Sequence, residues 1–193
     1  MKVKIKEKED QLFKLCRLEH DRFVSDGLID GDSYFSARIR ILLLPKGVND
    51  RKGGGWDLRC VLCKNPSYSR TWNNVARWSY GLLDEPLFVP CSKVPKPNLS
   101  FRKKWLSPLA AVNVKKVGGG GRANRLEIID YIKRYKNLLQ QQLELYRPNV
   151  TICCGTSEFL PLIFNPLEEY NLATTSNGTC YANSSRLGIV IYY

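Results

Sequence analysis

The chain has 193 residues and a formal net charge of +12, from 30 lysines and arginines against 18 aspartates and glutamates. This length accommodates a single α/β domain over residues 1–193, and a hydrophobic content of 44% excludes wholesale disorder. No apolar run approaches the roughly 18–20 residues of a membrane-spanning helix, and the charged first residues lack the apolar core of a signal peptide. We therefore expect a cytoplasmic protein with no membrane partner. We also expect a monomer.

The first half of the sequence predicts two helices and one strand. Helical spacing of apolar residues predicts an amphipathic helix over residues 8–25, ended by an Asp-Gly pair, which serves as a cap or an arm. Residues 38–44 are rich in branched apolar side chains and predict a strand buried on both faces. A loop dense in glycine and basic residues follows over 45–59, and a second helix is predicted over 69–83.

The second half repeats this alternation after an irregular, proline-rich basic loop over residues 85–108. The clearest helix covers 125–146, with Asn124 as its N-cap and Glu127 completing a capping-box pattern. The remaining predicted elements are strands over 109–114, 150–154 and 187–192, and a short helix over 158–165.

Strands alternating with helices predict an α/β fold in which parallel strands carry helices on both faces. In such sheets the ligand lies at the carboxyl ends of the strands. This places three loops at one edge: 45–59, 113–124 and 155–157.

An excess of lysines and arginines is spread through the segments predicted as loops, which is typical of a polyanion-binding protein. Nucleic acid is the expected partner. A basic but merely solvated surface, or an anionic membrane surface, are the alternatives.

The seven cysteines show no framework spacing and are expected to be free thiols in a reducing compartment. The pair Cys60-x-x-Cys63 lacks a second pair at zinc-finger spacing, so we expect no metal. With a single histidine, His20, catalysis by a Ser-His-Asp or Cys-His arrangement is not expected.

The loop after the first strand contains side chains suited to hydrolysis. Asn49 or Asp50, at a strand end, can orient or deprotonate a water molecule, although an Asn-Asp turn with a purely geometric role is an alternative. Glycines 53–55 would let the backbone approach a phosphate. The same loop carries the candidate phosphate-binding residues Lys46, Arg51 and Lys52.

Two further groups of candidate residues lie in other segments of the sequence. Asn113, at the end of its strand, offers a donor and an acceptor for the edge of a base, or else satisfies local backbone groups. Ser69 opens a helix whose N-terminus would bind phosphate, or simply caps it. The other candidates are Lys115, Lys116 and Arg122 for phosphates, and Trp56 and Trp72 for stacking or core packing.

Taken in order, these segments resemble the uracil-DNA glycosylase superfamily over roughly residues 25–193. That family's first strand leads into a catalytic loop with a Pro and an Asp, Asn or Glu, matched here by IRILLLPKGVND, and SRTWNN loosely matches its next stretch. A strand ending in a base-reading Asn is matched by LAAVNVKK, and a helix, Pro and strand ending in Gly by LELYRPNVTICCG. The resemblance implies a three-layer αβα sandwich around a four-stranded parallel sheet.

The resemblance implies a monofunctional DNA glycosylase without metal or cofactor, which flips a base out of DNA and hydrolyses its N-glycosidic bond. Asn113 would read the base, with Pro45 and an aromatic, Trp56 or Trp72, beside it. Asp50, favoured narrowly over Asn49, would act on the water.

The side-chain-poor glycine segments 53–55 and 118–121 predict room for a damaged or modified base larger than uracil, such as a modified base of phage DNA, and hence a role in phage defence. The family's His-Pro-Ser motif after the last strand has no counterpart in these residues. A non-catalytic nucleic-acid-binding module that retains the fold is therefore the alternative.

Overall fold

The computed structural model describes residues 2–51, 53–66, 69–84, 89, 91–164 and 172–193. Within these ranges the helices are α1 (Lys2–Glu19), α2 (Gly31–Ser36), α3 (Leu58–Lys64), α4 (Arg70–Leu83), α5 (Leu99–Leu106), α6 (Arg125–Leu145) and α7 (Leu160–Ile163). The strands are β1 (Gly27–Leu28), β2 (Ile41–Pro45), β3 (Gly47–Asn49), β4 (Leu109–Ala111), β5 (Lys115–Gly119), β6 (Val150–Cys154), β7 (Ala173–Thr174), β8 (Cys180–Ser184) and β9 (Gly188–Tyr192).

The central sheet has seven strands in the order β1-β4-β2-β6-β9-β8-β7. The four predicted strands, β4, β2, β6 and β9, are parallel neighbours, and Leu42 of β2 pairs with Ala110 on one side and Thr151 on the other. The predicted α/β class with a mainly parallel sheet is therefore confirmed. The expected strand count of four is wrong, because short antiparallel strands extend the sheet at both edges.

Two hydrophobic clusters cover the two faces of this sheet. Leu42 and Leu44 belong to the first cluster, with residues of α1, α6 and α7, whereas Ile41 and Leu43 belong to the second, with residues of α3, α4 and α5. The unbroken apolar run of β2 is explained by this burial on both faces.

Helices α4 and α6 confirm two sequence predictions, because the predicted caps are formed. The Ser69 hydroxyl accepts from the Trp72 amide at 3.2 Å, and Asn124 Oδ1 accepts from the Leu126 amide at 3.0 Å. The capping box of α6 is not formed, since Glu127 instead accepts a hydrogen bond from the Lys115 ammonium.

Other predicted boundaries are wrong. Helix α1 ends at Glu19 rather than at residue 25, because a turn follows it and residues 23–25 are bonded to other segments. Helix α5 lies within the predicted loop 85–108, where Asn98 caps it by accepting from the Phe101 amide at 2.8 Å. Strands β3 and β5 pair with each other in a separate parallel ribbon where two loops were predicted.

No helix in the described part of the chain is both long and apolar enough to cross a bilayer.

Candidate nucleic-acid interface

The strand order defines a switch point at the carboxyl edge of the sheet. Counted along the chain, the four parallel strands lie side by side in the order second, first, third, fourth. In sheets of this kind ligands bind where the order reverses, which is here between β2 and β6. The chain leaves these strands at Lys46 and Gly155, and a methyl group added to Gly155 would lie 3.4 Å from Lys46 Nζ.

Five predicted site residues meet beside this switch point: Lys46, Asn49, Arg51, Lys115 and Arg122, which we call the carboxyl-edge patch. Lys46, Lys115 and Arg122 line one small cavity of about 40 Å³ at the start of α6. A methyl group on Gly120, in the same lining, would lie 2.9 Å from Arg51 Nε, and one on Gly121 would lie 3.5 Å from Asn49 Nδ2. The two basic loops therefore converge, as their sequence positions predict.

Most cations of the patch form no ion pair among the described residues. Within the described ranges no carboxylate forms an ion pair with Lys46, Arg51 or Arg122, whereas Lys115 pairs with Glu127. Several arginines elsewhere are paired with carboxylates: Arg17 with Asp10, Arg125 with Glu158, Arg134 with Glu19, and Arg186 with Glu144. The patch thus keeps an excess positive charge that an anionic ligand can neutralise.

Asp50 shapes the loop that carries the patch. Its Oδ1 accepts from the Gly53 amide at 2.8 Å, and its Oδ2 accepts from the Trp56 indole nitrogen at 2.9 Å. Asn49, by contrast, is exposed. Of the two candidates for acting on water, Asn49 faces solvent in the patch, and the carboxylate of Asp50 is engaged within its own loop.

Asn113 and Lys116 lie inside the protein. Asn113 is 2% exposed, and both its backbone amide and its Nδ2 donate to Asp26 Oδ2, at 2.7 and 3.2 Å. Lys116 is fully buried, with its ammonium 2.7 Å from Asp26 Oδ1. The prediction that Lys116 binds phosphate is therefore wrong for this structure, because its charge is enclosed and already paired.

The ion pair of Asp26 and Lys116 belongs to a buried polar network that the sequence pattern does not indicate. Gln142 Nε2 donates to Asp26 Oδ1 and to the Tyr146 hydroxyl, at 2.9 and 3.0 Å. The Tyr146 hydroxyl donates to Glu9, which also accepts from Arg59. Burial raises the pKa of the Glu9 carboxyl and lowers the pKa of the Lys116 ammonium, in each case against the pull of the partner charge.

The remaining predicted site residues have mainly structural positions. Trp56 and Trp72 are partly buried against the second hydrophobic cluster, and Pro45 pairs with Cys154 across the sheet. The Ser69 hydroxyl is used as a helix cap, which was the alternative weighed for it. Lys52 lies outside the described residues.

Two glycines of the basic loops serve close packing rather than an open space. A methyl group on Gly54 would lie 2.5 Å from Arg22 Cα, and one on Gly118 would lie 2.7 Å from the Asp50 carbonyl oxygen. Contacts this short with backbone atoms exclude any side chain. The side chains of Arg51 and Asn49 lie beside Gly120 and Gly121, whereas the nearest atoms to a methyl group on Gly55 or Gly119 are 3.7 and 3.8 Å away, so the room for a large base stays a prediction.

Every cysteine that the structure describes with its side chain is a free thiol, with Cys60 exposed and Cys63 half-buried. Among the described residues no group of three or more His, Cys, Asp or Glu side chains is placed to hold a metal ion.

Comparisons with family models, with curated proteins and with solved structures found no match to this chain.

Proposed function

We propose that the protein is a DNA N-glycosylase that binds DNA at the carboxyl-edge patch and removes a damaged or modified base by hydrolysis. The observation that carries the proposal is the placement of Lys46, Arg51 and Arg122, which form no ion pair among the described residues, beside Asn49 at the switch point of the sheet. The resemblance of IRILLLPKGVND and LAAVNVKK to the uracil-DNA glycosylase superfamily supplies the reaction class.

In the proposed reaction a water oxygen bonds to C1′ of the deoxyribose, and the bond from C1′ to the base nitrogen breaks. The electron pair leaves with the base, which takes up a proton, and an abasic site remains. Asn49 orients the water, whereas Asp50 holds the loop and places negative charge near the oxocarbenium character of the sugar. The three cations bind the flanking phosphates. This chemistry needs no cofactor.

A non-catalytic nucleic-acid-binding module is the second candidate. It is favoured by the hydrogen bonds on both carboxylate oxygens of Asp50 and by the burial of Asn113 against Asp26. In this alternative the cations of the patch bind the backbone, and no bond is broken.

The deciding experiment is a base-release assay with mass-spectrometric detection on DNA containing uracil, common lesions or the modified bases of phage genomes. Release of a free base with an abasic site supports the glycosylase, and Asn49→Ala should then slow release by roughly 100-fold while DNA affinity stays nearly unchanged. Failure to release any base, together with salt-sensitive binding, would establish the binding module instead.

The same DNA tests the patch in a binding titration at several salt concentrations. Lys46→Ala, Arg51→Ala and Arg122→Ala should each weaken binding and lower the slope of log affinity against log salt by about 1. Arg186→Ala is the matched control, since that cation is paired with Glu144. Equal effects for all four variants would remove the patch from both candidate functions.

A further inference from the structure

Residues 22–25 connect the two basic loops through the backbone. On one side the Val24 amide donates to the Lys116 carbonyl at 2.7 Å, and Phe23 bridges to Val117. On the other side the Ser25 amide donates to the Trp56 carbonyl at 3.1 Å. The segment thus lies between the loop after β2 and strand β5, and we call it the brace.

Arg22, at the start of the brace, contacts the loop that carries Asn49 and Arg51. Its Nε donates to the Gly53 carbonyl at 2.8 Å, and its Nη2 donates to the carbonyls of Asp50 and Arg51, at 2.7 and 2.5 Å. Three carbonyls within four residues are therefore satisfied by one guanidinium. The Arg22 carbonyl in turn accepts from the Gly118 amide of β5 at 3.3 Å.

Arg22 shares the restraint of this loop with backbone bonds from the Asp50 amide to the Gly119 carbonyl and from the Gly55 amide to the Phe23 carbonyl, each at 2.9 Å. Gly53, Gly54 and Gly55 have no side chains to pack, and the positive φ angles of Gly54 and Gly55, 142° and 72°, are ones that glycine adopts freely. A glycine-rich segment has many accessible conformations unless specific bonds select one. The guanidinium of Arg22 selects one conformation through its bonds to three loop carbonyls. The Asp50 carboxylate adds bonds within the loop itself.

We propose that Arg22 is a positioning residue for the activity proposed above: it holds Asp50, Arg51 and Gly53 in the one conformation that presents Asn49 and Arg51 to DNA. The expected effect of Arg22 on base release rests on the proposed function, whereas its expected effect on the conformation of the loop does not. The role requires the planar fork, so a lysine, which keeps the charge but loses the geometry, does not replace it.

The catalytic consequence is tested with Arg22→Lys and Arg22→Ala in single-turnover base release at saturating enzyme. Both variants should slow release by roughly 10- to 100-fold, because small misplacements of reacting groups have costs of that size, while the Kd for DNA changes less than about 3-fold. Arg17→Ala is the matched control, since Arg17 donates to Ser25 of the brace at 3.0 Å but bonds to none of the described residues of the loop. A wild-type rate in Arg22→Lys would overturn the proposal.

The structural consequence is tested by amide hydrogen exchange over residues 50–57, which needs no activity. Both Arg22 variants should exchange faster there than the wild type and Arg17→Ala, with exchange in β2 and β6 unchanged. If the Arg22 variants exchange faster but the wild type releases no base, the proposed glycosylase activity is contradicted and the structural role of Arg22 is supported. Unchanged exchange in both Arg22 variants would contradict the structural role of Arg22 but not the glycosylase proposal.

Discussion

The hydroxyl of Tyr34 is buried with no hydrogen-bond partner among the described residues. The side chain is fully buried, and among the described residues its oxygen has no hydrogen-bond partner. The ring itself packs edge-on against Phe35 and Tyr146, with centroids 5.1 and 6.4 Å away. Removing a phenol hydroxyl from water without compensation costs about 1–3 kcal/mol, and the same burial raises the pKa of the phenol.

Tyr34→Phe should therefore leave the free energy of unfolding unchanged or raise it by up to about 1 kcal/mol, because no bond is lost. The wild type should also lose stability as pH rises above 10, since the unfolded chain releases the phenol proton there and the folded chain retains it. Tyr34→Phe should lose less. Urea unfolding at pH 7 and at alkaline pH measures both effects.

The matched control for this variant is Tyr146→Phe. Its hydroxyl donates to Glu9 and accepts from Gln142, so its loss should destabilise the protein by roughly 1–3 kcal/mol. Equal destabilisation by the two variants would show that the Tyr34 hydroxyl has a partner after all.

Burial also decides which site residues could be predicted from the sequence. The patch residues Lys46, Asn49 and Arg51 could be found, because a strand end and a loop place them at the carboxyl edge. The burial of Lys116 could not be predicted, because the sequence around it is typical of a loop. Only its pairing in β5, where burial alternates along the strand, turns Lys116 toward Asp26.

At the scale of elements, α6 ends in a conformation that its sequence does not favour. Arg147, just after the helix, has a φ of +47° and is the sole non-glycine residue with positive φ in the described ranges. This left-handed position commonly holds glycine, which lacks the clash of a Cβ with the carbonyl.

Arg147→Gly should raise the free energy of unfolding by about 0.5–1 kcal/mol, since glycine relieves this strain. The carbonyl of residue 147, which accepts from Arg40 Nε at 2.7 Å, is unaffected by the change. Lys133→Gly, inside α6, is the control and should instead cost about 1 kcal/mol. Chemical denaturation of the two variants gives the comparison, and destabilisation by both would contradict it.

The caps of α4 and α6 could be predicted from local signals, whereas β3 and the brace, which depend on specific distant partners, could not. Helix α5 was missed although the adjacent Asn98 caps it. The caps at Ser69 and Asn124 lie next to the helices that they begin. Strand β3 forms only because Gly47 pairs with Lys115, which is far away in sequence. Likewise, the helical pattern of residues 8–25 does not show that the brace is held by β5 and the loop after β2.

At the scale of the whole molecule, net charge does not identify the binding face. A second basic cluster, Arg40, Arg147 and Arg186, lines a cavity of about 410 Å³ together with Glu144, next to the amino ends of the strands. In that cluster Arg186 is paired with Glu144, and Arg40 Nε is used on a carbonyl. Each edge thus holds one ion-paired cation, Lys115 or Arg186, and the carboxyl edge is distinguished by its place at the switch point of the sheet.

This distinction predicts where DNA lies on the protein. Hydrogen exchange with and without a DNA duplex should show slower exchange over residues 46–57 and 115–124, where the unpaired cations are. Exchange over 147–149 and 184–188, at the opposite edge, should be unchanged. Because phosphate contacts weaken as salt rises, the protection should fade between about 50 and 200 mM salt. Protection at the amino edge, with none at the patch, would place the interface on the second cluster and withdraw Lys46, Arg51 and Arg122 from it.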